Sequence, residues 1–263
     1  METNQDLRIA LIQQDLIWEN KLENLQKFDQ VISNIKEPID LILLPEMFST
    51  GFTMRADKFA ETMDGNAVSL MKKWANEKHV AVAGSLIIKE VGKYYNRFVW
   101  VEPNGEIQTY DKAHLFRMGE EQLHFSKGLN RIIISYKGWK IAPFICYDLR
   151  FPVWIRKSKN FDYDLLLFSA NWPERRKFHW NLLLQARAIE NQSYVAAVNR
   201  IGIDGNGMNH SGDSQLINPL GEVIYKQEYQ ASIGIINLSK EVLVKYRETF
   251  PVGLDADTFE ITN

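Results

Sequence analysis

The chain has 263 residues, of which 45% are hydrophobic and 24% charged, and its formal net charge at neutral pH is -2. These values sit at globular averages, so a sizeable core can form and disorder is not indicated; basic and acidic residues are interspersed, which argues against a nucleic-acid partner. One cysteine rules out an internal disulfide framework, and with neither a signal-peptide pattern at Met1–Asp6 nor an apolar run of bilayer length, a soluble, cytoplasmic protein with no membrane partner is expected, folded as a single domain over 1–263 with a tail from about 250.

Leu7 to Gln13 alternates and then saturates in apolar residues, as a first core strand would, and Trp18 to Ile35 carries Leu22, Leu25, Phe28, Val31, Ile32 and Ile35 at helical spacing. Asp40 to Phe48 is a continuous apolar run of the kind buried on both faces, interrupted by Glu46. Gly65 to Lys78 reads as a second helix, Val80 to Ile88 as a third strand, and Tyr94 to Glu102 as a fourth, turned by Pro103-Asn104-Gly105-Glu106 into Ile107 to Tyr110. Arg117 to Gly128 has no clean period and is expected to be a loop. Trp139 to Ile145 predicts a buried strand, followed by a helix over 152–159 for which Asp148 offers an N-cap. Asp164 to Asn171 is another saturated strand, Phe178 to Gln192 a long helix, and Tyr194 to Ile201 a strand. Gly202 to Gly212 is glycine-rich but lacks the Gly-Lys-Ser/Thr of a phosphate loop, so it reads as a turn. A hairpin of Ser214 to Ile217 with Glu222 to Lys226, a strand Ile233 to Leu238 and a helix Glu241 to Thr249 complete the pattern. The second half repeats the order of the first, which predicts two related sheets packed face to face with helices outside: a four-layer α-β-β-α sandwich of the α/β class.

Chemistry concentrates at strand ends. Cys146 follows an apolar strand, near backbone N–H groups that favour thiolate over thiol; as a lone cysteine it also fits a small buried hydrophobe. Glu46 at the end of a buried strand either reaches solvent or serves as a general base, because an unpaired buried carboxylate is costly by several kcal/mol. Lys112 taken alone reads as a solvated surface lysine. Together, Cys146, Glu46 and Lys112 fall at the carboxyl ends of strands, where open α/β sheets place their sites. They supply a nucleophile, a base and a positive donor for a tetrahedral oxyanion. The five histidines show no paired ligand spacing, so no metal is expected.

Three stretches, Leu43-Leu44-Pro45-Glu46-Met47-Phe48, Tyr110-Asp111-Lys112-Ala113-His114-Leu115-Phe116 and Ile145-Cys146-Tyr147-Asp148-Leu149-Arg150-Phe151-Pro152, resemble in sequence and order the Glu-Lys-Cys motifs of the nitrilase superfamily of carbon-nitrogen hydrolases. The likeness extends over nearly the whole chain, including Ala170-Asn171-Trp172-Pro173 and Gln185 to Gln192. Within the superfamily the chain is most similar to the bacterial omega-amidases, which hydrolyse the side-chain amide of 2-oxoglutaramate and 2-oxosuccinamate. The resemblance implies an α-β-β-α sandwich, usually a homodimer, and no organic cofactor. It implies Cys146 as nucleophile, Glu46 as general base and later acid, and Lys112 with the Tyr147 backbone N–H as oxyanion stabilisers. A second glutamate that orients the reacting groups is carried over to Glu121, spaced from Gly128 as in relatives, in preference to Glu120.

A small 2-oxo acid wants a guanidinium fork for its carboxylate. Arg150, Arg176, Arg175 and Arg117 are the candidates, with Arg150 alternatively bonded inside the sandwich. Asn171 and Trp172 sit at a strand end, where Trp172 either walls the substrate or fills the core. Arg187 and Glu190 share a helix face and read as a structural pair. Two other functions stay open: a related amidase or N-carbamoyl hydrolase of another small acid, and a non-enzymatic protein using Cys146 as a redox sensor, against which the Glu46 and Lys112 pair speaks.

Overall fold

The computed structural model describes residues 6–262; the expectations for residues 1–5 and for the last residue of the tail lie outside them. Thirteen strands follow in chain order: β1 (Leu7–Gln13), β2 (Leu41–Leu43), β3 (Ala81–Glu90), β4 (Lys93–Val101), β5 (Ile107–Asp111), β6 (Ile134–Tyr136), β7 (Trp139–Ile145), β8 (Leu165–Ala170), β9 (Tyr194–Asn199), β10 (Ile201–Ile203), β11 (Asn209–Ile217), β12 (Val223–Glu228) and β13 (Ser232–Leu238). Strand alternation divides the apolar side chains between two cores. Leu7, Ile9 and Leu11 of β1 join Leu41, Leu43, Phe98 and Trp100 against the β7 and β8 side chains Ile141, Ile145, Leu165 and Leu167. Ala10 and Ile12, with Ile42 and Val82, turn the other way onto Leu25, Phe28 and Ile32 of the helix Lys21–Ser33 and Val68, Met71 and Trp74 of the helix Asn66–Lys78. The second sheet is covered outside by Trp180, Leu184 and Ala188 of the helix Lys177–Asn191. Helix, sheet, sheet and helix thus form the four layers that the sequence pattern predicts.

The first sheet runs β13-β1-β2-β3-β4-β5, and the second β10-β11-β9-β8-β7-β6 with β12 paired to β11. Each has a parallel centre: β1 with β2 and β2 with β3, then β7 with β8 and β8 with β9. The two halves are not self-contained, because β13, from the end of the second half, pairs antiparallel with β1 from Leu7–Leu238 to Gln13–Ser232.

Several boundaries differ from the sequence reading for local reasons. Asn20 accepts the Glu23 N–H at 3.2 Å and starts the first helix at Lys21 rather than Trp18. β2 stops at Leu43, and the chain turns through Pro45, which has no N–H for a ladder, so Glu46 lies beyond the strand. The segment 117–128 is not all loop: Arg117–Gly119 and Glu121–His124 each make one helical turn. The helix expected over 152–159 is only the turn Pro152–Ile155, and Asp148 does not cap it, since its carboxylate is engaged elsewhere. Ile201 leaves β9 and pairs with Ser211, so the glycine-rich stretch is a hairpin turned over 204–207. No helix of the described residues is long and apolar enough to cross a membrane.

Gly128 shows how tightly the fold holds one site residue. Its N–H donates to the Lys112 carbonyl at 2.9 Å, and a Cβ there would lie 2.0 Å from the Asp111 carbonyl oxygen. Gly128→Ala must therefore push the Lys112 segment away; the expected outcome is a loss of about 1–3 kcal/mol in unfolding free energy measured by denaturant titration, as for other overpacked sites, with turnover falling further than stability alone explains.

Candidate active site

Three of the four expected catalytic side chains follow the ends of strands. Glu46 comes after β2 in a turn closed by the Met47 N–H, which donates to Ser85 Oγ of β3 at 2.9 Å. Lys112 follows β5, with its N–H on the Asn96 carbonyl of β4 at 3.0 Å. Cys146 follows β7 at φ +41°, a left-handed conformation that is strained by about 1–3 kcal/mol for a residue with a Cβ. The sharp bend lifts the thiol off the strand and opens the one-turn helix Cys146–Arg150. Glu121 comes from the one-turn helix 121–124, not from a strand.

The four side chains meet in one buried cluster: Glu46 and Glu121 are 0% exposed and Lys112 1%. Lys112 Nζ donates to Glu46 Oε1 at 2.8 Å and to Glu121 Oε1 and Oε2 at 3.1 and 2.9 Å, which occupies all three of its hydrogens. Glu121 Oε2 also accepts the Phe116 N–H at 2.6 Å, and Glu46 Oε2 accepts the Asn171 N–H at 2.8 Å. Glu120, one residue earlier, stands at φ +58° on the cavity wall, and of the two glutamates it is Glu121 that hydrogen-bonds Lys112.

Burial disfavours the Lys112 ammonium, but Glu121 and then Glu46 more than offset this and hold its pKa above the usual lysine range. Burial, with Glu46 alongside, pushes the Glu121 carboxyl upward against the pull of Lys112. The expectation that the elbow favours thiolate is reversed. Burial and then the Glu46 charge push the Cys146 thiol well above its ordinary value, and Lys112 recovers only part of that. The Cys146 side chain is therefore a thiol beside a carboxylate, rather than a preformed thiolate.

The cluster forms the floor of a cavity of about 620 Å³. Tyr147, Arg150, Asn171, Trp172 and Arg176 all line it, as does Arg175. Arg117 does not; it lies on the exposed turn before Glu120. Asn171 follows β8, and its amide nitrogen donates to the Glu46 carbonyl, so its Oδ1 is the free end and has no partner among the described residues. Trp172 is both wall and core: it is 3% exposed, and its Nε1 donates to the Arg176 carbonyl at 2.8 Å. Arg150 is not bonded inside the sandwich; its guanidinium stacks 4.7 Å over the Trp172 ring and meets His179 Nδ1 at 3.1 Å. Arg176 lies 5.7 Å over Phe116, with a buried Nη1 that has no hydrogen-bond partner among the described residues. Burial, Arg175 and Arg150 depress its pKa, the signature of crowded cations without an acid among them. Arg187 and Glu190 form the structural pair expected of them, at 3.0 Å.

Sequence reasoning missed the part that two residues, Asn96 and Asp148, play in building the site. Asn96 bridges the two glutamates, donating to Glu46 Oε1 at 2.8 Å and Glu121 Oε1 at 3.0 Å. The signal was present, since Asn96 shares a strand face with Phe98 and Trp100 and is polar where that face is core. Asp148, fully buried, accepts the Tyr110 hydroxyl at 2.8 Å, the His114 N–H at 3.0 Å and the Ile145 N–H at 3.1 Å, and lies 2.8 Å from His114 Nδ1. It ties the segment around Lys112 to the elbow around Cys146. Among the described residues no group of three or more potential ligands could hold a metal ion.

The carbon-nitrogen hydrolase family model matches residues 8–248. The chain is 46% identical to the omega-amidase YafV of Escherichia coli K12 over 97% of its own length and 98% of that protein's. It is 34% identical to the 2-oxoglutaramate amidase of Bacillus subtilis over 93% and 95% of the two chains. Its fold superimposes with a TM-score of 0.96 on XC1258 of Xanthomonas campestris, a CN-hydrolase superfamily protein solved with an arsenic adduct in its active site, at 40% identity and covering 98% and 100% of the two chains. With a buried cysteine, two carboxylates and a lysine converging at the strand ends, and relatives matched along almost the entire sequence, this chain belongs to the carbon-nitrogen hydrolase family.

Proposed function

We propose that the protein is an omega-amidase, hydrolysing the terminal amide of small 2-oxo acids such as 2-oxoglutaramate and 2-oxosuccinamate to ammonia and the 2-oxo dicarboxylate. One observation carries the substrate class: Arg150, Arg175 and Arg176 line one cavity with Cys146, and among the described residues none of them forms an ion pair. An anion is the missing partner, and a guanidinium with a buried, unbonded Nη1 is suited to a carboxylate. The same wall disfavours an α-ammonium, so a 2-oxo acid fits better than glutamine. Arg176 and Arg150 hold the carboxylate end, Trp172 and Tyr147 shape the chain between, and Asn171 Oδ1 is placed to accept an N–H of the scissile amide.

Chemistry proceeds by acyl transfer. As Cys146 Sγ attacks the amide carbon, its proton passes to Glu46, so no free thiolate is needed beforehand. The oxyanion is received by Lys112 and the Tyr147 backbone N–H. Because all three Lys112 hydrogens are committed, one contact with Glu121 must be released as the oxyanion forms. Collapse expels ammonia protonated by Glu46 and leaves a thioester. Water, deprotonated by Glu46, attacks the thioester, and the second collapse returns the proton to sulfur and frees the carboxylic acid. The same chemistry would serve a related amidase or an N-carbamoyl hydrolase. We read the protein as a cytoplasmic homodimer: a reducing compartment suits its unpaired thiol, and Phe178, Leu182 and Ile189, all more than half exposed, lie on one face of the helix Lys177–Asn191.

Ammonia release from 2-oxoglutaramate, glutamine, an N-carbamoyl amino acid and a simple nitrile tests the reading. Turnover is expected with the 2-oxo amide and is expected to vanish in Cys146→Ala and Glu46→Gln with folding intact; activity confined to the carbamoyl compound would replace the substrate. Arg176→Ala should raise KM for 2-oxoglutaramate by about 10–200-fold, the range for losing a charged hydrogen bond of about 1.5–3 kcal/mol, and leave a neutral amide such as propionamide little affected. Since the free thiol titrates above the ordinary cysteine range, iodoacetamide should alkylate Cys146 slowly at neutral pH and faster as pH rises past that of an exposed cysteine.

A further inference from the structure

The cluster of Glu46, Lys112, Glu121 and Cys146 contains a fifth member with a defined orientation. Asn96, in β4, is 1% exposed. Its amide cannot be turned the other way. The groups facing one end are Glu46 Oε1 and Glu121 Oε1, carboxylate oxygens that accept from Lys112 and would repel an amide oxygen, so that end is Nδ2. Oδ1 is turned to Ser85, whose hydroxyl donates to it at 2.9 Å while Ser85 Oγ accepts the Met47 N–H, also at 2.9 Å. Nδ2 then faces the glutamates, and its two hydrogens go to Glu46 Oε1 and Glu121 Oε1 at 2.8 and 3.0 Å. Lys112 Nζ meets those same two oxygens at 2.8 and 3.1 Å. The carboxylates are bridged twice, once by a cation and once by a neutral amide, and the Asn96 backbone carbonyl accepts the Lys112 backbone N–H at 3.0 Å.

Two buried carboxylates facing one ammonium repel each other, and each depends on donors to stay where it is. A second cation would hold them but would also draw the base away from proton transfer. An amide supplies two donors with no net charge.

We propose that Asn96 is a positioning residue for acyl transfer: its Nδ2 keeps Glu46 aimed at Cys146 and keeps Glu121 bonded while Lys112 turns an N–H from Glu121 to the oxyanion. Asn96 touches no substrate atom in this scheme and acts through the two carboxylates. The inference rests on the Glu46, Lys112 and Cys146 reading of the reaction but not on the identity of the amide.

Two variants separate positioning from simple support of the fold. Asn96→Asp keeps the shape, replaces a donor by an acceptor and sets a third carboxylate against one lysine. Its kcat should fall by about 100-fold, the scale of a small misplacement of reacting groups, and the acid limb of its kcat/KM profile should move to higher pH because the base is harder to ionise. Asn96→Ser, shorter and neutral, should lower kcat while leaving KM within about twofold and the acid limb in place. Thermal melting reports the folded fraction for both. The pH profile of Cys146 alkylation by iodoacetamide needs no substrate; it should move to higher pH in Asn96→Asp even if every amide offered to the wild type proves inert, which separates failure of this inference from failure of the substrate assignment. An unmoved alkylation profile, a kcat of Asn96→Asp within about twofold of wild type, or losses that track the folded fraction alone would overturn the proposal.

Discussion

The site depends on one buried ammonium shared between two buried carboxylates. Lys112 is the cation that pairs with Glu46 and Glu121, all three side chains being fully buried. Removing one partner of such a group strands the others, at about 3–5 kcal/mol for a buried pair, so the three residues stand or fall together. The surrounding structure reads as what is needed to keep them there. β5 delivers Lys112, the Phe116 N–H and the turn 121–124 hold Glu121, and the Asn171 N–H holds the second oxygen of Glu46. The same environment, through burial and the Glu46 charge, holds the Cys146 thiol well above its ordinary pKa.

A second constraint joins the two halves of the reaction centre. Lys112 comes from one sheet and Cys146 from the other, and sheets packed face to face can slide. Asp148 opposes this by accepting from Tyr110 and His114, on either side of Lys112, and from Ile145, next to Cys146. The His114 ring is stacked on Phe151 with centroids 3.7 Å apart and Trp154 Nε1 donates to Tyr110 Oη, so the clasp is packed as well as bonded. A carboxylate that looked in the sequence like a helix cap is thus spent on holding the Cys146 segment against the Lys112 segment.

Much of this was legible in the sequence because strands with both faces buried are saturated in apolar residues and helices are not. The saturated runs at β1, β7 and β8, and the helical spacing in 66–78 and 177–191, survive as elements with ends shifted by a residue or a few. Glu46, Lys112 and Cys146 were visible as polar residues just past apolar runs. What escaped depends on long-range pairing. That β13 belongs beside β1 is invisible to local periodicity, and so is the union of Asn96 with two glutamates from elsewhere in the chain. The thiolate expectation failed for the same reason: it weighed the backbone N–H groups next to Cys146 but not the burial and the Glu46 charge that only folding brings.

The pairing of β1 with β13 also orders events in time. During synthesis, the first sheet emerges with one edge of β1 open, an unpaired row of N–H and C=O groups carried on one of the most apolar stretches of the chain. That edge stays open until Ser232–Leu238 leaves the ribosome, after both central parallel regions of the two sheets have been made. A nascent chain in this state can recruit strands from other molecules, and contacts between distant parts of a chain form slowly. Premature termination anywhere before residue 232 therefore leaves an exposed β1 edge whatever has happened at the active site.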